Sequence, residues 1–238
     1  MTRFVLSICA LMVAFVASAH ADISKADKAA FEEMIRAYIM DNPDVIRQSL
    51  IELQEREQLA AMQRGLDLAR AEQPDGVMGN PNGDLIIYEF SDYNCGYCRR
   101  MFSTLQAVVE EDPNLTVKVK ELPILAESSV LAARAGIAAQ KQGKFEAFHT
   151  AMMQSAGGIS NATIEAAARL ADMDLDQMLR DMDAAETEET ISRTRAAATA
   201  LEVRGTPALL IGDTLLPGAV DINQLRSVIA AERSKKNS

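Results

Sequence analysis

The sequence is poor in the residues that build metal sites. Of its 238 residues only three are cysteine and two are histidine. It also lacks any excess of basic charge. Acidic residues number 34 against 24 lysines and arginines, giving a formal net charge of −10. A nucleic-acid binder needs a basic face for the phosphates, so no nucleic-acid partner is expected. Long apolar runs are missing as well, with one exception at the very start. Beyond it no stretch is long enough to cross a bilayer. What is present is an ordinary 48% of hydrophobic residues. That is enough for a real core in one large domain, or in a domain with an appendage.

The exception is the segment 1–21. Arg3 gives a short basic start, and Phe4 to Val16 is an apolar run of signal-peptide length. Ala19-His20-Ala21 is an A-x-A cleavage pattern, and Ala17-Ser18-Ala19 also fits. The expectation is an exported chain cleaved after Ala21, against the rival of an uncleaved anchor. Removal takes away Arg3 and no acid, so the net charge moves from −10 to −11. Cys9 leaves too, and the two remaining cysteines form one C-x-x-C, Cys95-Gly96-Tyr97-Cys98. An exported chain whose only cysteines sit three apart reads as a redox tool rather than a stapled scaffold.

The stretch from Leu85 to Met101 carries that pair. Leu85-Ile86-Ile87-Tyr88 is bounded by Asn82-Gly83 and reads as a buried strand. After the cysteines, Met101, Phe102, Leu105, Val108 and Val109 recur at helical spacing. Cys95 therefore sits at a helix mouth, with Cys98 one turn inside. Free N–H groups and the helix dipole favour negative charge there, which stabilises a thiolate. Cys95 is the expected attacking sulfur and Cys98 the resolving one. A structural staple is a weak rival, because so small a loop removes only about 2 kcal/mol of chain entropy. Half a zinc site is another, but zinc takes four ligands, and His149 is the only histidine away from the N-terminus.

Around this centre the chain divides into a helical arm over 22–73 and a compact domain over 74–238. In the arm, Phe31, Met34, Ile35, Tyr38 and Ile39 form one apolar stripe, and Pro43 opens a second helix after Asn42. Ile46, Leu50 and Leu53, then Leu59, Met62 and Leu66, continue in a shifted phase, with Gly65 a candidate bend. Such a stripe needs cover, from other subunits or from its own domain. Residues 73–76 and 79–84 read as linker and turn. Leu115 to Leu122 alternates in period two and reads as a strand, so strand, helix and strand imply parallel pairing. About 125–203 is helical throughout. Its methionines, Met152, Met153, Met173, Met178 and Met182, invite a copper reading, but methionine in helices more often fills core gaps. Ala208 to Ile211 and Thr214 to Leu216 read as a hairpin around Gly212-Asp213, followed by a helix over Ile222 to Ala231 and a frayed polar end from Ser234.

Phe90-Ser91-Asp92-Tyr93-x-Cys-x-Tyr-Cys98, then Gly205-Thr206-Pro207-Ala208, then a hairpin and helix, resemble the thioredoxin-fold DsbA family of exported thiol–disulfide oxidoreductases over about residues 77–232. The arm makes the chain most similar to the suppressor-of-copper-sensitivity C (ScsC) type. The resemblance implies an α/β thioredoxin-like fold with a helical insertion, a periplasmic location and a redox-active Cys95–Cys98 disulfide in place of any cofactor. It implies client proteins bearing cysteines, a membrane redox partner, and a homo-oligomer, a trimer, built by the arm. Thr206-Pro207 becomes a cis peptide facing the cysteines, with Thr206, Pro207, Gly96 and Tyr97 on the client side. Glu89, six residues before Cys95, becomes the acid that relays protons for Cys98, with Lys118 or Lys120 of the neighbouring strand as its partner. The chain departs from the commoner C-P-x-C dipeptide at Gly96, which leaves oxidant and isomerase both open. A copper(I) carrier using the Cys95 and Cys98 thiolates remains a rival, since two soft sulfurs suffice for that ion. So does a chaperone or assembly module acting through the arm.

Overall fold

The computed structural model describes residues 24–236. The expected signal peptide, its cleavage point and Cys9 lie outside the described residues, as do residues 237 and 238. The described chain forms two compact units, one ending at Glu57 and one beginning at Gln58. No helix among the described residues is long and apolar enough to cross a membrane.

The first unit is helical. Ser24 caps helix α1 (Lys25–Asp41) by accepting the Asp27 N–H at 3.1 Å. Asn42 ends it, its side-chain amide donating to the Tyr38 carbonyl at 2.9 Å. Pro43, which has no N–H to leave unpaired, then opens helix α2 (Pro43–Arg70). Phe31, Met34, Ile35 and Tyr38 of the expected stripe are exposed, and its fifth member, Ile39, is half-buried.

Helix α2 runs unbroken through Gly65, which is therefore no bend. Gly65, Leu66 and Ala69 are buried within the second unit. A Cβ at Gly65 would come within 2.6 Å of the Leu201 side chain, so glycine here permits close packing. The end of the expected arm thus folds onto its own domain, while Leu59 and Met62 remain exposed.

The second unit is built on a mixed five-stranded sheet in the order β1-β3-β2-β4-β5. Strand β2 (Leu85–Ser91), helix α3 (Gly96–Glu111) and strand β3 (Leu115–Glu121) make the expected parallel crossover unit. Strands β4 (Ala208–Ile211) and β5 (Thr214–Pro217) form the expected hairpin, with β4 antiparallel to β2. Strand β1 (Gly76–Gly79) lies between the two expected turn segments, 73–76 and 79–84, and takes one residue from each. It is a four-residue edge strand antiparallel to β3, held by that pairing and by buried Met78.

Between β3 and β4 lie five helices, α4 (Glu127–Lys141), α5 (Phe145–Gln154), α6 (Asn161–Leu170), α7 (Leu175–Met182) and α8 (Ala185–Ala200). The apolar faces of α4 to α7 share one cluster with α3 and a face of the sheet, whereas α8 gives Ala197 and Ala198 to a second cluster. Met152, Met153, Met173 and Met178 are buried in the first as core side chains. The last helix, α9 (Ile222–Lys236), is longer than expected. Arg233 holds Asp112 and Asp84, and Lys236 donates to the Asp84 carbonyl, which fixes the end that was read as frayed.

Alternation along the strands sorts side chains between two layers. Ile87 meets Val117 and Ile211 in the layer containing α3. Tyr88 and Phe90 pack with Leu66, Ala69, Ala197 and Leu201 in the other. Cys95 and Cys98 follow the C-terminal end of β2, at the start of α3.

Candidate active site

Cys95 is the N-cap of α3. The turn into it is set by Asp92, whose carbonyl accepts the Cys95 N–H at 2.9 Å and whose carboxylate accepts the Asn94 N–H at 2.8 Å. The Cys95 sulfur accepts the Cys98 N–H at 3.4 Å. A helix-terminal N–H therefore points at the atom that would carry the negative charge of a thiolate. Gly96 and Tyr97 are exposed beside it, and Arg100 lies over the Tyr97 ring at 4.1 Å from its centroid. Cys98, one turn inside, is fully buried.

The Thr206–Pro207 peptide is cis. It places the Thr206 carbonyl 3.2 Å from Cys95 Sγ, across 111 residues of sequence. A cleft of about 410 Å³ runs along this loop, lined by Arg204, Thr206, Pro207, Leu215 and Pro217 among others. The structure thus brings together Cys95, Gly96, Tyr97, Cys98, Thr206 and Pro207.

Glu89 lies beneath Cys98. Its side chain is fully buried, and burial pushes its carboxyl up to about 8, opposed by the Ser91 hydroxyl 3.4 Å away. Burial, and then the Glu89 charge, drive the Cys98 thiol far above the ordinary thiol range. The pair resists ionisation together, so whichever group loses a proton needs somewhere for it to go.

The expected lysine partner of Glu89 is absent from that position. Tyr88 is in register with Lys118 and Phe90 with Lys120, so both lysines lie in the layer opposite Glu89. Lys120 is fully buried and pairs with buried Asp75 at 2.6 Å, and Lys118 reaches Glu72 at 3.5 Å. Burial raises Asp75 and lowers Lys120, in each case outweighing their attraction.

Four further groups had no role beside the cysteines in the sequence reading: Asp92, Glu121, Tyr93 and His149. The Asp92 carboxylate also accepts the backbone N–H groups of Ile124 and Leu125 and the Ser129 hydroxyl at 2.7 Å. It ties the cysteine mouth to the loop entering α4. Glu121 shares the Glu89 layer, and burial holds it well above the usual carboxylate range. Its Oε1 and the Tyr93 hydroxyl converge where a Cβ at Gly136 would sit, 2.6 and 2.9 Å away. Tyr93 in turn lies 2.9 Å from His149 Nδ1, and burial pulls His149 down to about 3. Glu121 carried the same signal as Glu89, a charge on the apolar face of an alternating strand.

Comparison with known proteins adds two family matches. Residues 86–230 match the DSBA-like thioredoxin domain, and residues 27–60 match the copper resistance protein ScsC N-terminal domain. A thioredoxin-like oxidoreductase from Silicibacter pomeroyi DSS-3 is 41% identical, with 71% of this chain and 97% of that one covered and a TM-score of 0.66. The catalytic domain of Proteus mirabilis ScsC is 30% identical, with 73% and 97% covered and a TM-score of 0.64. Among curated proteins, the Na(+)/H(+) antiporter NhaA of Herminiimonas arsenicoxydans is 25% identical over 162 residues, which are 67% of this chain and 26% of that one. The chain spans about a quarter of the length of the curated relatives it matches.

Proposed function

Because the chain belongs to the DsbA-like thioredoxin family, we propose that it is a thiol–disulfide oxidoreductase acting on client proteins through Cys95 and Cys98. The observation that carries this is the position of Cys95 Sγ. It faces a helix-terminal N–H on one side and the carbonyl before a cis proline on the other. A client disulfide is attacked by the Cys95 thiolate, giving a mixed disulfide and releasing one client thiolate. Cys98 then attacks Cys95, closing the pair and releasing the second client thiol. The reverse sequence oxidises a client dithiol. The backbone at Thr206 offers an extended client segment a strand-like partner beside the reacting sulfur.

Within that class we favour disulfide isomerisation in the periplasm. The exposed stripe of α1 lies in the segment matching the ScsC N-terminal domain, and it supports assembly of several active sites, a trimer, through residues 22–73. Gathered sites let one misfolded client be cut and rejoined repeatedly. A copper(I) carrier would use the same two sulfurs. Cys98 is the poorer ligand of the two, since metal binding requires it to lose a proton that burial and Glu89 hold in place.

Refolding of a scrambled disulfide substrate tests the assignment. The full-length protein is expected to restore native pairing, and truncation of residues 22–57 is expected to reduce this while insulin reduction persists. A wild-type protein inactive in both assays with Cys95 reduced would refute the exchange reading.

A further inference from the structure

Glu89 and Cys98 make no direct hydrogen bond, yet one side chain acts on both. Ser91 follows Glu89 by two residues in β2, so the two side chains point to the same face. Its Oγ lies 3.4 Å from Glu89 Oε1, and the same hydroxyl acts on the Cys98 thiol, favouring its ionised form against burial and the Glu89 charge. Ser91 is 1% exposed, and Glu89 and Cys98 are 0%, so solvent does not reach the gap directly. Glu89 Oε2 has no hydrogen-bond partner among the described residues. A hydroxyl can accept one proton while donating another, which neither a thiol held apart from a carboxylate nor an apolar side chain can do. The long Glu89 contact is of the kind that tightens only as charge develops.

We propose that Ser91 is the proton relay of the resolving step, its hydroxyl taking the Cys98 proton while passing its own to the Glu89 carboxylate. This rests on the exchange reading above. The bond between Cys95 and the client sulfur breaks, and the Cys95–Cys98 bond forms. The electron pair of the broken bond leaves on the client sulfur, which is protonated from solvent. The Cys98 proton ends on Glu89 in molecules whose Glu89 is ionised, a fraction that grows as pH approaches 8, and no oxidant beyond the client disulfide is consumed. When the pair is reduced by a client thiolate, the same chain runs backwards and delivers a proton to Cys98.

The groups facing this chain come from several elements. Cys98 faces it from α3, Glu121 from β3, and Asp92 and Tyr93 from the β2–α3 turn, while His149 of α5 reaches it through Tyr93. Strand β4 contributes only apolar side chains.

The test uses reduced full-length protein mixed with dithiobisnitrobenzoate, followed by visible absorbance. The first thiolate release reports attack by Cys95, and the second reports resolution by Cys98. In Ser91→Ala the first phase should stay within about twofold of wild type. The second should slow by about tenfold or more at neutral pH, and its rise through about pH 8 should disappear. Glu89→Gln should do the same, and the double variant should be no slower than either single one. Ser91→Thr, which keeps the hydroxyl, should retain the rise. Thermal midpoints check that each variant is folded. In the wild type alone, heavy water should slow the second phase more than the first. A Ser91→Ala second phase within twofold of wild type with its rise intact overturns the proposal. So do additive losses in the double variant, or equal slowing of both phases in heavy water. A wild type that gives no second release overturns the exchange reading and this relay with it.

Discussion

Replacing Glu89 by glutamine should change stability in a direction that depends on pH. The folded protein holds the Glu89 proton up to about pH 8, whereas an unfolded glutamate releases it at about 4.5. An acid with a raised folded value stabilises the native state at low pH, and that contribution is lost as pH rises from 4.5 through 8. Each pH unit in that window costs about 1.4 kcal/mol. At pH 7 the wild type therefore carries a penalty of about 3 kcal/mol, approaching about 5 kcal/mol above pH 8. Glutamine imitates the neutral acid and escapes the penalty, but it buries an amide whose N–H groups lack acceptors, at about 1 kcal/mol. The net expectation at pH 7 is a gain of about 2 kcal/mol, or about 4–8 °C in midpoint for a unit of this size. At pH 4.5 the variant should instead be less stable by about 1 kcal/mol. Urea titrations of both reduced proteins at pH 4.5, 6, 7 and 8 measure this. A gain that does not grow with pH, or a variant less stable than wild type at pH 7, would show that Glu89 is not a neutral buried acid.

Cys98→Ser should accumulate a client-linked species on a non-reducing gel, because Cys95 can attack but nothing resolves it; Cys95→Ser should give none. Lys120→Met should cost about 3–5 kcal/mol by stranding Asp75, and adding Asp75→Leu should recover much of that loss, as a double-mutant cycle in urea would record. Gly65→Ala should destabilise by about 1–2 kcal/mol, although alanine is the better helix former by about 1 kcal/mol, because its methyl would meet Leu201 and the Leu201 backbone nitrogen. A stabilised variant would mean that Leu201 moves aside freely. Light scattering should give a multiple of the chain mass for the full protein and the single-chain mass once residues 22–57 are removed.

The centre of the fold was legible because its signals are local. A short apolar run, two cysteines at a helix mouth and an alternating strand specify β2, α3 and β3 without knowledge of the rest. The Gly205–Ala208 stretch was placed opposite the cysteines by family likeness, and the 3.2 Å contact between Thr206 and Cys95 agrees with it. The partner of Glu89 was misread because faces depend on register. Lys118 and Lys120 lie on one face of β3, but only the pairing of Tyr88 with Lys118 reveals that it is the wrong one. Strand β1 left no pattern, since four residues with glycine at both ends become a strand only against β3. The end of α9 depends on Asp84 and Asp112, each more than 100 residues away in sequence. Ser91 stands in the Phe90–Cys98 motif without a role legible there, because its place beside buried Glu89 appears only in the folded chain.

The exchange reading stands on Cys95 as the attacking nucleophile, its sulfur held by the first turn of α3. Iodoacetamide alkylation of the reduced protein at pH 7, followed by mass spectrometry and run beside free glutathione, tests it. The account predicts that Cys95 is labelled faster than glutathione while Cys98 is spared. Labelling of Cys95 no faster than glutathione would contradict it.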